Sequence, residues 1–254
     1  MSALALLASA VIALSHSPAA QPVRIVHGPH AAPIPILMYH VVTAPPPGSA
    51  YPQLWVPWRS FVEQVLALRA AGYHGVTLEQ AYDYWHKGYA LPRKPVVLSF
   101  DDGYLSQYTH ARKTLAALGW PGVLNLIVDN IGKGGLTRHQ VRAMLADGWE
   151  LDSHTVTHAD VSTLSGAALV REIGDSRKDL QRIFHVPVDF FCYPAGKYDA
   201  AAEAEVRAAG YLGATTEGPG VASPKDDPDL LPRIRVNGTD TASAVLARIH
   251  ALGA

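Results

Sequence analysis

The sequence predicts an α/β fold, a barrel of parallel strands of the TIM type or a distorted relative, in which strands alternate with helices. The first observation is a recurring unit, in which a helix ends at a glycine and an aromatic residue leads into a strand-like segment. The unit occurs at Ala71-Gly72-Tyr73, Leu118-Gly119-Trp120, Asp147-Gly148-Trp149 and Ala209-Gly210-Tyr211. Each glycine stands where the left-handed residue after a helix belongs. The second observation is that roughly seven such strands, joined by short links, can be counted.

An open doubly wound sheet is the structural alternative. No glycine-rich phosphate fingerprint follows any strand of the sequence, which counts against a nucleotide-binding version of that sheet. The chain has 254 residues, 48% of them apolar and 17% charged, which is enough for the core of one large domain. A net charge of −1 with both signs scattered gives no indication of a nucleic-acid partner or an anionic membrane.

Individual elements follow from periodicity and capping residues. Residues 34–39 form the first predicted strand, and residues 96–100 are a continuous apolar run typical of a strand covered on both faces. Apolar residues at helical spacing predict a helix over residues 58–71. Further helices are expected to begin at the capping residues Thr77, Thr137 and Asp199.

Residues 1–20 are predicted to be a signal peptide. Residues 3–14 are apolar apart from Ser9, a run too short to span a bilayer but suited to a signal-peptide core. The usual basic segment at the start is missing, so a plain apolar N-terminus is the alternative. A linker at 21–33 and a globular domain at 34–254 complete the predicted organisation. The protein is therefore predicted to be exported to the periplasm, the cell envelope or the extracellular space, without a transmembrane span.

Polar clusters follow three of the predicted strands, at the ends where folds of this type carry their sites. The first is Asp101-Asp102-Gly103, in which the glycine lets the chain turn so that both carboxylates can reach one site. The other two are Ser153-His154-Thr155-Val156-Thr157-His158 and Tyr193-Pro194-Ala195-Gly196. An isolated Asp-Asp-Gly is more often a strand end followed by a polar turn. The three clusters together favour a functional site.

His154 and His158 stand four residues apart, and on one helical turn their imidazoles would share a face. With one of the two carboxylates they would form a site with open positions, suited to Zn²⁺ or, less well, to another borderline divalent ion. The chain has 12 histidines, so the spacing can also arise by chance. The second carboxylate could act as general base and a backbone N–H at the Tyr193 turn could hold an oxyanion. This chemistry is metal-assisted hydrolysis of an amide or ester.

The clusters carry a family resemblance. Ser99-Phe-Asp-Asp-Gly103, Ser153-His-Thr-Val-Thr-His158 and Phe191-Cys-Tyr-Pro-Ala-Gly196 resemble the first three motifs of the polysaccharide deacetylases, the NodB-homology group or carbohydrate esterase family 4. The opening Ile36-Leu-Met-Tyr-His40 is similar to the branch that deacetylates poly-N-acetylglucosamine or related envelope glycans. The similarity covers about residues 34–238 and identifies the domain at 34–254 as NodB-like.

The resemblance implies a distorted (β/α) barrel of about seven parallel strands and a zinc-dependent deacetylase acting on an acetylated polysaccharide or oligosaccharide. It implies that Asp101 is the catalytic base and that the backbone at Tyr193 stabilises the oxyanion. The implied metal ligands are Asp102, His154 and His158. Contacts with the substrate are expected from Tyr193, Pro194, Tyr104 and Arg233.

The chain departs from the family pattern in places that concern the proton donor to the leaving amine. Cys192 and Ala195 stand where the third motif often has Arg and Tyr, and residues 231–236 lack the late-strand histidine. The candidate donors are Asp101 returning its proton, His40 at the end of the first strand, and a group steered by Arg233 or Arg235. His40 could equally be a core histidine, and the arginines could be surface charges.

Other residues have both a structural and a functional interpretation. Cys192 is the only cysteine, which excludes an intramolecular disulfide, and is predicted to be a small buried core residue. Tyr104, Trp55 and Trp85 could stack on sugar rings or pack in the interior. The alternatives to N-deacetylation are O-acetyl ester or small-amide hydrolysis on the same fold, and a catalytically silent glycan-binding protein.

Overall fold

The computed structural model describes residues 31–253, which form a closed barrel of seven parallel strands surrounded by helices. Around the barrel the order is β1, β3, β4, β5, β6, β7 and β8, and β8 pairs with β1 to close it. The strand β2 lies outside this circle, against the first half of β3. The strands are β1 Ile36–Tyr39, β2 His74–Val76, β3 Pro95–Asp101, β4 Val123–Leu126, β5 Glu150–Ser153, β6 Phe190–Cys192, β7 Gly213–Pro219 and β8 Leu231–Arg235.

Closure of the sheet confirms the predicted distorted (β/α) barrel and rules out the open doubly wound alternative. The helices are α1 Trp58–Ala70, α2 Leu78–His86, α3 Arg112–Ala116, α4 Arg138–Ala146, α5 Gly166–Val170, α6 Ser176–Phe184, α7 Ala200–Ala208 and α8 Ala242–Ala251. One π-helical turn, Gln107–Ala111, leads into α3, and another, Arg171–Asp175, joins α5 to α6.

The predicted helix boundaries are confirmed by their hydrogen bonds. Thr77 and Thr137 each form a capping box with the glutamine three residues on, and Asp199 accepts the N–H of Ala202 at the start of α7. The glycines of the recurring unit adopt positive φ, between 67° and 86°, a region that costs other residues free energy because of their Cβ. These glycines turn the chain from each helix into the next strand.

The strands separate two apolar regions, one inside the barrel and one between the barrel and the helices. Side chains along a strand point alternately into these two regions, and this alternation positions the site. Leu98 and Phe100 of β3 belong to a core that includes residues of the surrounding helices, whereas Val97 belongs to a separate cluster inside the barrel. Because successive strand residues face opposite sides, Ser99 and Asp101 share the inward face of Val97. The barrel interior is therefore apolar at the start of β3 and becomes polar at its carboxyl end.

Parts of the predicted organisation lie outside the described residues, namely the signal peptide at 1–20 and most of the linker at 21–33. Between residues 31 and 253, no helix combines the length and the apolar character needed to cross a membrane. Cys192 is fully buried in β6, which confirms its predicted place in the interior.

Candidate active site

A polar cavity of about 480 Å³ opens at the carboxyl ends of the strands. Asp101 and Asp102 at the end of β3, His40 after β1, and the loop after β5 all contribute to its wall. The cavity brings together the predicted His40, Asp101, Asp102, His154 and His158, and it is also lined by Tyr51, Gln53, Leu54, Ala195, Glu217 and Arg235. Residues up to 195 positions apart in the sequence thus meet at one end of the barrel.

Asp102, His154 and His158 form a compact group whose ligand atoms all lie within 4.8 Å of one another. Oδ1 of Asp102 lies 3.4 Å from Nε2 of His154 and 3.6 Å from Nε2 of His158. Within the part of the chain that the structure describes, this buried oxygen has no hydrogen-bond partner. Nitrogen and oxygen ligands about 2.0–2.1 Å from a tetrahedral zinc are about 3.3 Å apart, so these residues fit such an ion.

The backbone between the two histidines corrects one expectation. His154 and His158 do not share a helical turn, because residues 154–158 form an irregular loop. Thr155 has φ 68° and His158 has φ 64°, and these two left-handed residues turn the chain so that the imidazoles meet. The ring centroids lie 4.8 Å apart with the planes 72° from each other.

His154 is oriented by a hydrogen bond on the side of its ring away from Asp102. Its Nδ1 lies 2.7 Å from the backbone oxygen of Cys192, which can only accept, so Nδ1 carries the proton of this bond. In the neutral ring Nε2 then keeps a lone pair directed at Asp102. A hydrogen bond of this kind from the second ring nitrogen is typical of metal-binding histidines.

Asp101 is paired with Arg233 inside the barrel. Nη1 of Arg233 donates to Oδ1 at 2.8 Å and Nη2 donates to Oδ2 at 2.9 Å, while Asn125 donates to Oδ1 at 2.7 Å. Burial by itself would raise the pKa of Asp101, but the charges of Arg233 and His40 and the hydrogen bonds from Arg233 hold it well below its usual range. Asp101 is therefore an ionised, rigidly held carboxylate although it is only 1% exposed.

His40 lies beside the carboxylate that it could exchange a proton with. Its Nε2 is 3.7 Å from Oδ2 of Asp101, and Gln107 binds the backbone oxygens of both residues. Burial lowers the pKa of His40 below its ordinary value, and the charges of Asp101 and Asp102 oppose that effect. The structure thus places His40 in the cavity and not in the apolar core.

The expectation that the N–H of Tyr193 holds the oxyanion is wrong. This N–H donates to the backbone oxygen of Thr215 at 3.1 Å as part of the pairing between β6 and β7. The Tyr193 side chain and Pro194 are buried and do not line the cavity, so neither occupies the substrate-contacting position expected for it. Ala195, the next residue, is exposed at the cavity wall and has φ 51°.

The expected contact between Arg233 and substrate is also wrong. Arg233 is only 1% exposed, and its donors are engaged by Asp101, Ser99 and the backbone oxygen of Thr216. The alternative of a surface charge fails for the same reason. Arg235 does line the cavity, but its guanidinium is paired with Glu217.

The aromatic candidates fall into two places. Trp85 is buried and donates to the backbone oxygen of Ala32, so it belongs to the interior. Tyr104 and Trp55 line a separate groove of about 310 Å³. Burial and, second, the nearby charge of Asp102 raise the pKa of Tyr104 to about 12.

Two residues that contact the Asp101 backbone or side chain were not singled out from the sequence. Asn125 lies in β4 and donates to Asp101, and Gln107 lies fully buried in the π-helical turn before α3. Asn125 had a signal in the sequence, because it is a lone polar residue in the apolar run Val123–Leu126. Gln107 had none, since an amide in a helix is ordinarily a surface residue.

Comparison with known proteins decides the family. A sequence profile described as Polysaccharide deacetylase matches residues 88–214, half of the chain. The Bacillus subtilis (strain 168) protein YxkH, whose name places it among the polysaccharide deacetylases, is 31% identical over 223 residues, covering 87% of this chain and 77% of YxkH. The chain belongs to the polysaccharide deacetylase family. The predicted resemblance is thereby confirmed, and with it the assignment as a hydrolase of carbohydrate esterase family 4.

Two further relatives of this polysaccharide deacetylase are informative. The Streptococcus pyogenes deacetylase PplD, solved in complex with acetate, superposes with a TM-score of 0.81 at 26% identity, over 87% of this chain and 99% of PplD. The poly-beta-1,6-N-acetyl-D-glucosamine N-deacetylase of Escherichia coli (strain K12) is 46% identical over 61 residues, which are 24% of this chain and 9% of that enzyme. The first comparison covers the whole barrel, and the second is confined to a segment.

Proposed function

We propose that this polysaccharide deacetylase removes N-acetyl groups from a polysaccharide containing N-acetylglucosamine, with a divalent metal, preferably Zn²⁺, as cofactor. The observation that carries the proposal is the Asp102, His154 and His158 group, with the ionised Asp101 beside it in one cavity. Two imidazoles and one carboxylate suit zinc and leave positions for water and substrate. When bound there, the metal would polarise the acetyl carbonyl and lower the pKa of a water molecule.

Asp101 is proposed as the general base. Its Oδ1 accepts from both Arg233 and Asn125, whereas Oδ2 accepts from Arg233 and, at 3.9 Å, from the weakly donating thiol of Cys192, and lies near the imidazole of His40. Oδ2 is therefore the oxygen that would take the proton from the attacking water. Arg233 and Asn125 prevent the carboxylate from rotating, so that this oxygen stays directed at the cavity. For the oxyanion we propose the backbone N–H of Ala195, because this residue lines the cavity whereas Tyr193 does not.

His40 is proposed as the general acid that protonates the leaving amine. The distance of 3.7 Å between its Nε2 and Oδ2 of Asp101 allows a proton to pass between them with a small side-chain movement. Two of the three candidate donors, Asp101 and His40, thus act as one pair. Arg233 is paired with Asp101 and Arg235 with Glu217, and we do not propose a further donor steered by either arginine.

Substitution of His40 by Gln is expected to lower kcat for an N-acetyl substrate by about 10²-fold or more. An aryl acetate ester has a leaving group that needs no protonation, so its hydrolysis should decrease much less. The ratio of the two kcat values, measured on wild type and variant at equal metal loading, checks the assignment. An equal decrease for both substrates would contradict a role as acid.

The groove beside the cavity supports a polymeric substrate. It combines the Trp55 indole, the Tyr104 phenol and the half-exposed Leu105 with the Thr43 and Thr109 hydroxyls, a mixture suited to sugar rings. It is contiguous in sequence with the catalytic residues, since Tyr104 follows Asp102 by two positions. We therefore propose that it holds a sugar unit next to the one that is deacetylated.

Replacement of Trp55 by Ala is expected to raise KM for an N-acetylglucosamine tetramer by about 5- to 100-fold, because one stacked ring is lost. The kinetics of the monomer should not change. Initial rates of acetate release from the monomer and the tetramer provide the measurement. If Trp55→Ala leaves the tetramer KM unaltered, the groove is not part of the substrate site.

Acetate release distinguishes the proposed function from its alternatives. Zinc-loaded protein is expected to release acetate with multiple turnovers from β-1,6- or β-1,4-linked N-acetylglucosamine oligomers. Release only from acetylated xylan or aryl esters would instead indicate an O-acetyl esterase, and release only from short amides a small-amide hydrolase. Oligosaccharide binding without release from any substrate would indicate a silent glycan-binding protein.

Export is part of the proposal, because an envelope glycan lies outside the cytoplasm. The proposed export rests on the signal peptide predicted at residues 1–20. Fractionation of cells that express the full chain with a C-terminal tag would test it, and retention of all protein in the cytoplasm at full length would refute it.

A further inference from the structure

Glu172 is a buried carboxylate that contacts the loop between His154 and His158 from a helix. It lies in the π-helical turn Arg171–Asp175 between α5 and α6 and is 6% exposed. A π turn re-aims side chains by inserting an extra residue, and such turns are frequent at functional sites. Burial of a carboxylate is unfavourable unless strong hydrogen bonds compensate for the lost water.

The hydrogen bonds of Glu172 all go to the loop between the two histidines. Its Oε2 accepts the N–H of Val156 at 3.0 Å and the N–H of Thr157 at 2.9 Å. Its Oε1 accepts the hydroxyl of Thr157 at 3.0 Å. A single side chain therefore binds both residues at the centre of the loop, and does so through charge-assisted hydrogen bonds, which are the stronger kind.

The loop needs such a partner because its backbone is neither helix nor strand. Thr155 and His158 are both left-handed, and the hydroxyl of Thr155 accepts the N–H of His158 at 2.8 Å. The two N–H groups between them would otherwise be left without hydrogen bonds from the protein. The carbonyl oxygens of Thr155 and Val156 accept the N–H groups of Val128 and Asp129, so Glu172 supplies the hydrogen bonds that the N–H side of the loop lacks.

The next turn of the same helical segment fixes the other end of the histidine cluster. Ser176, four residues after Glu172, places its hydroxyl 2.7 Å from the hydroxyl of Ser153, which directly precedes His154. Glu172 and Ser176 are thus two buried polar side chains of one helix that contact the histidine segment at two points.

We propose that Glu172 is a positioning residue of the metal site, which sets the separation of His154 and His158 required for a shared ion. The inference rests on the proposed metal site and adds the group that preorganises it. Residues that orient metal ligands typically change metal affinity 10- to 100-fold when they are removed.

The test is the Zn²⁺ affinity of the full chain, measured by competition with a chromophoric chelator. Glu172→Ala is expected to weaken binding at least 10-fold. Glu172→Gln should recover a large part of the loss, because its amide oxygen can accept the two N–H groups and its amide nitrogen can donate to the Thr157 hydroxyl. Thr157→Val, which removes one of the three bonds, should weaken binding less than Glu172→Ala does.

A matched control separates positioning from a general effect on stability. Glu150 also accepts a backbone N–H, that of Glu79 at 3.0 Å, but at the opposite end of β5. Glu150→Ala is expected to lower Tm without changing zinc affinity. If folded Glu172→Ala binds zinc within twofold of wild type, the inference is wrong. Should Glu172→Ala not fold, wild-type affinity in both Glu172→Gln and Thr157→Val would overturn it.

Zinc binding by wild type shows whether a negative result concerns the proposed metal site or only the role of Glu172. If wild type binds no zinc, the metal site itself fails and the positioning role fails with it. If wild type binds zinc and Asp102→Ala does not, while Glu172→Ala binds as tightly as wild type, only the role of Glu172 is refuted.

Discussion

Replacement of Asp101 by Asn is expected to lower kcat for acetate release by about 10²- to 10⁴-fold, the range that a general base contributes. The Asn side chain keeps the volume and the hydrogen bond of Oδ1 but cannot accept a proton at neutral pH. Zinc content should be unchanged, because the ligands belong to Asp102 and the two histidines. Steady-state kinetics and metal analysis on the same preparation provide the measurement.

Loss of the carboxylate also leaves the buried Arg233 without its ion-pair partner, so the Asn variant needs a control for stability. The double variant Asp101→Asn with Arg233→Met removes both charges. It should regain most of the stability lost by Asp101→Asn and remain inactive. If the double variant also regains turnover, the loss in the single variant reflects misfolding, and Asp101 is not the base.

Arg233→Met is expected to destabilise the fold by about 3–5 kcal/mol, because removal of one partner of a buried ion pair leaves an uncompensated charge. Both guanidinium contacts to Asp101 are shorter than 3 Å, and Asp101 and Arg233 are each only 1% exposed. Urea denaturation at pH 7 measures the free energy of unfolding. The double variant serves as the reference without either charge, and a loss below about 1 kcal/mol in Arg233→Met would contradict the structural account of this pair.

The pH dependence of stability between about pH 4 and 7 should differ between wild type and Arg233→Met. In wild type the pKa of Asp101 is held below its value in the unfolded chain. Its contribution to stability is thus complete above about pH 4 and decreases as the pH falls below that value. Without Arg233, burial raises the pKa of Asp101, so that the variant should lose stability as the pH rises from about 4 towards 7. Denaturation curves at about pH 4 and pH 7 test this difference: the contribution of Asp101 should be nearly constant in wild type and should decrease towards pH 7 in the variant.

The fold could be predicted from local signals because each one has a local physical cause. A capping box at Thr77 or Thr137 determines where a helix begins, and a glycine such as Gly148 determines where one ends. Short links then require parallel strands. Closure of the barrel depends on pairing of β1 with both β3 and β8, a long-range contact that the sequence pattern favoured over an open sheet but did not demand.

The sequence predicts which residues form the candidate site better than it predicts their backbone conformation and contacts. The members of the Asp102, His154 and His158 group were identified, but the helical turn assumed for the histidines is absent, because two left-handed residues replace it. The sequence predicts that Arg233 contacts the substrate, whereas in the structure it binds Asp101. Its contact to Asp101 spans 132 positions, and whether a strand residue faces inward depends on the register of strands far apart in the chain.

The metal content of purified wild type, compared with that of Asp102→Ala, is the decisive test of the metal site. Both proteins would be loaded with Zn²⁺, freed of excess by gel filtration and analysed by mass spectrometry, with circular dichroism to establish that the variant is folded. We expect about one zinc per wild-type chain and less than a tenth of that in Asp102→Ala, together with loss of acetate release. Equal zinc in the two proteins would contradict this expectation.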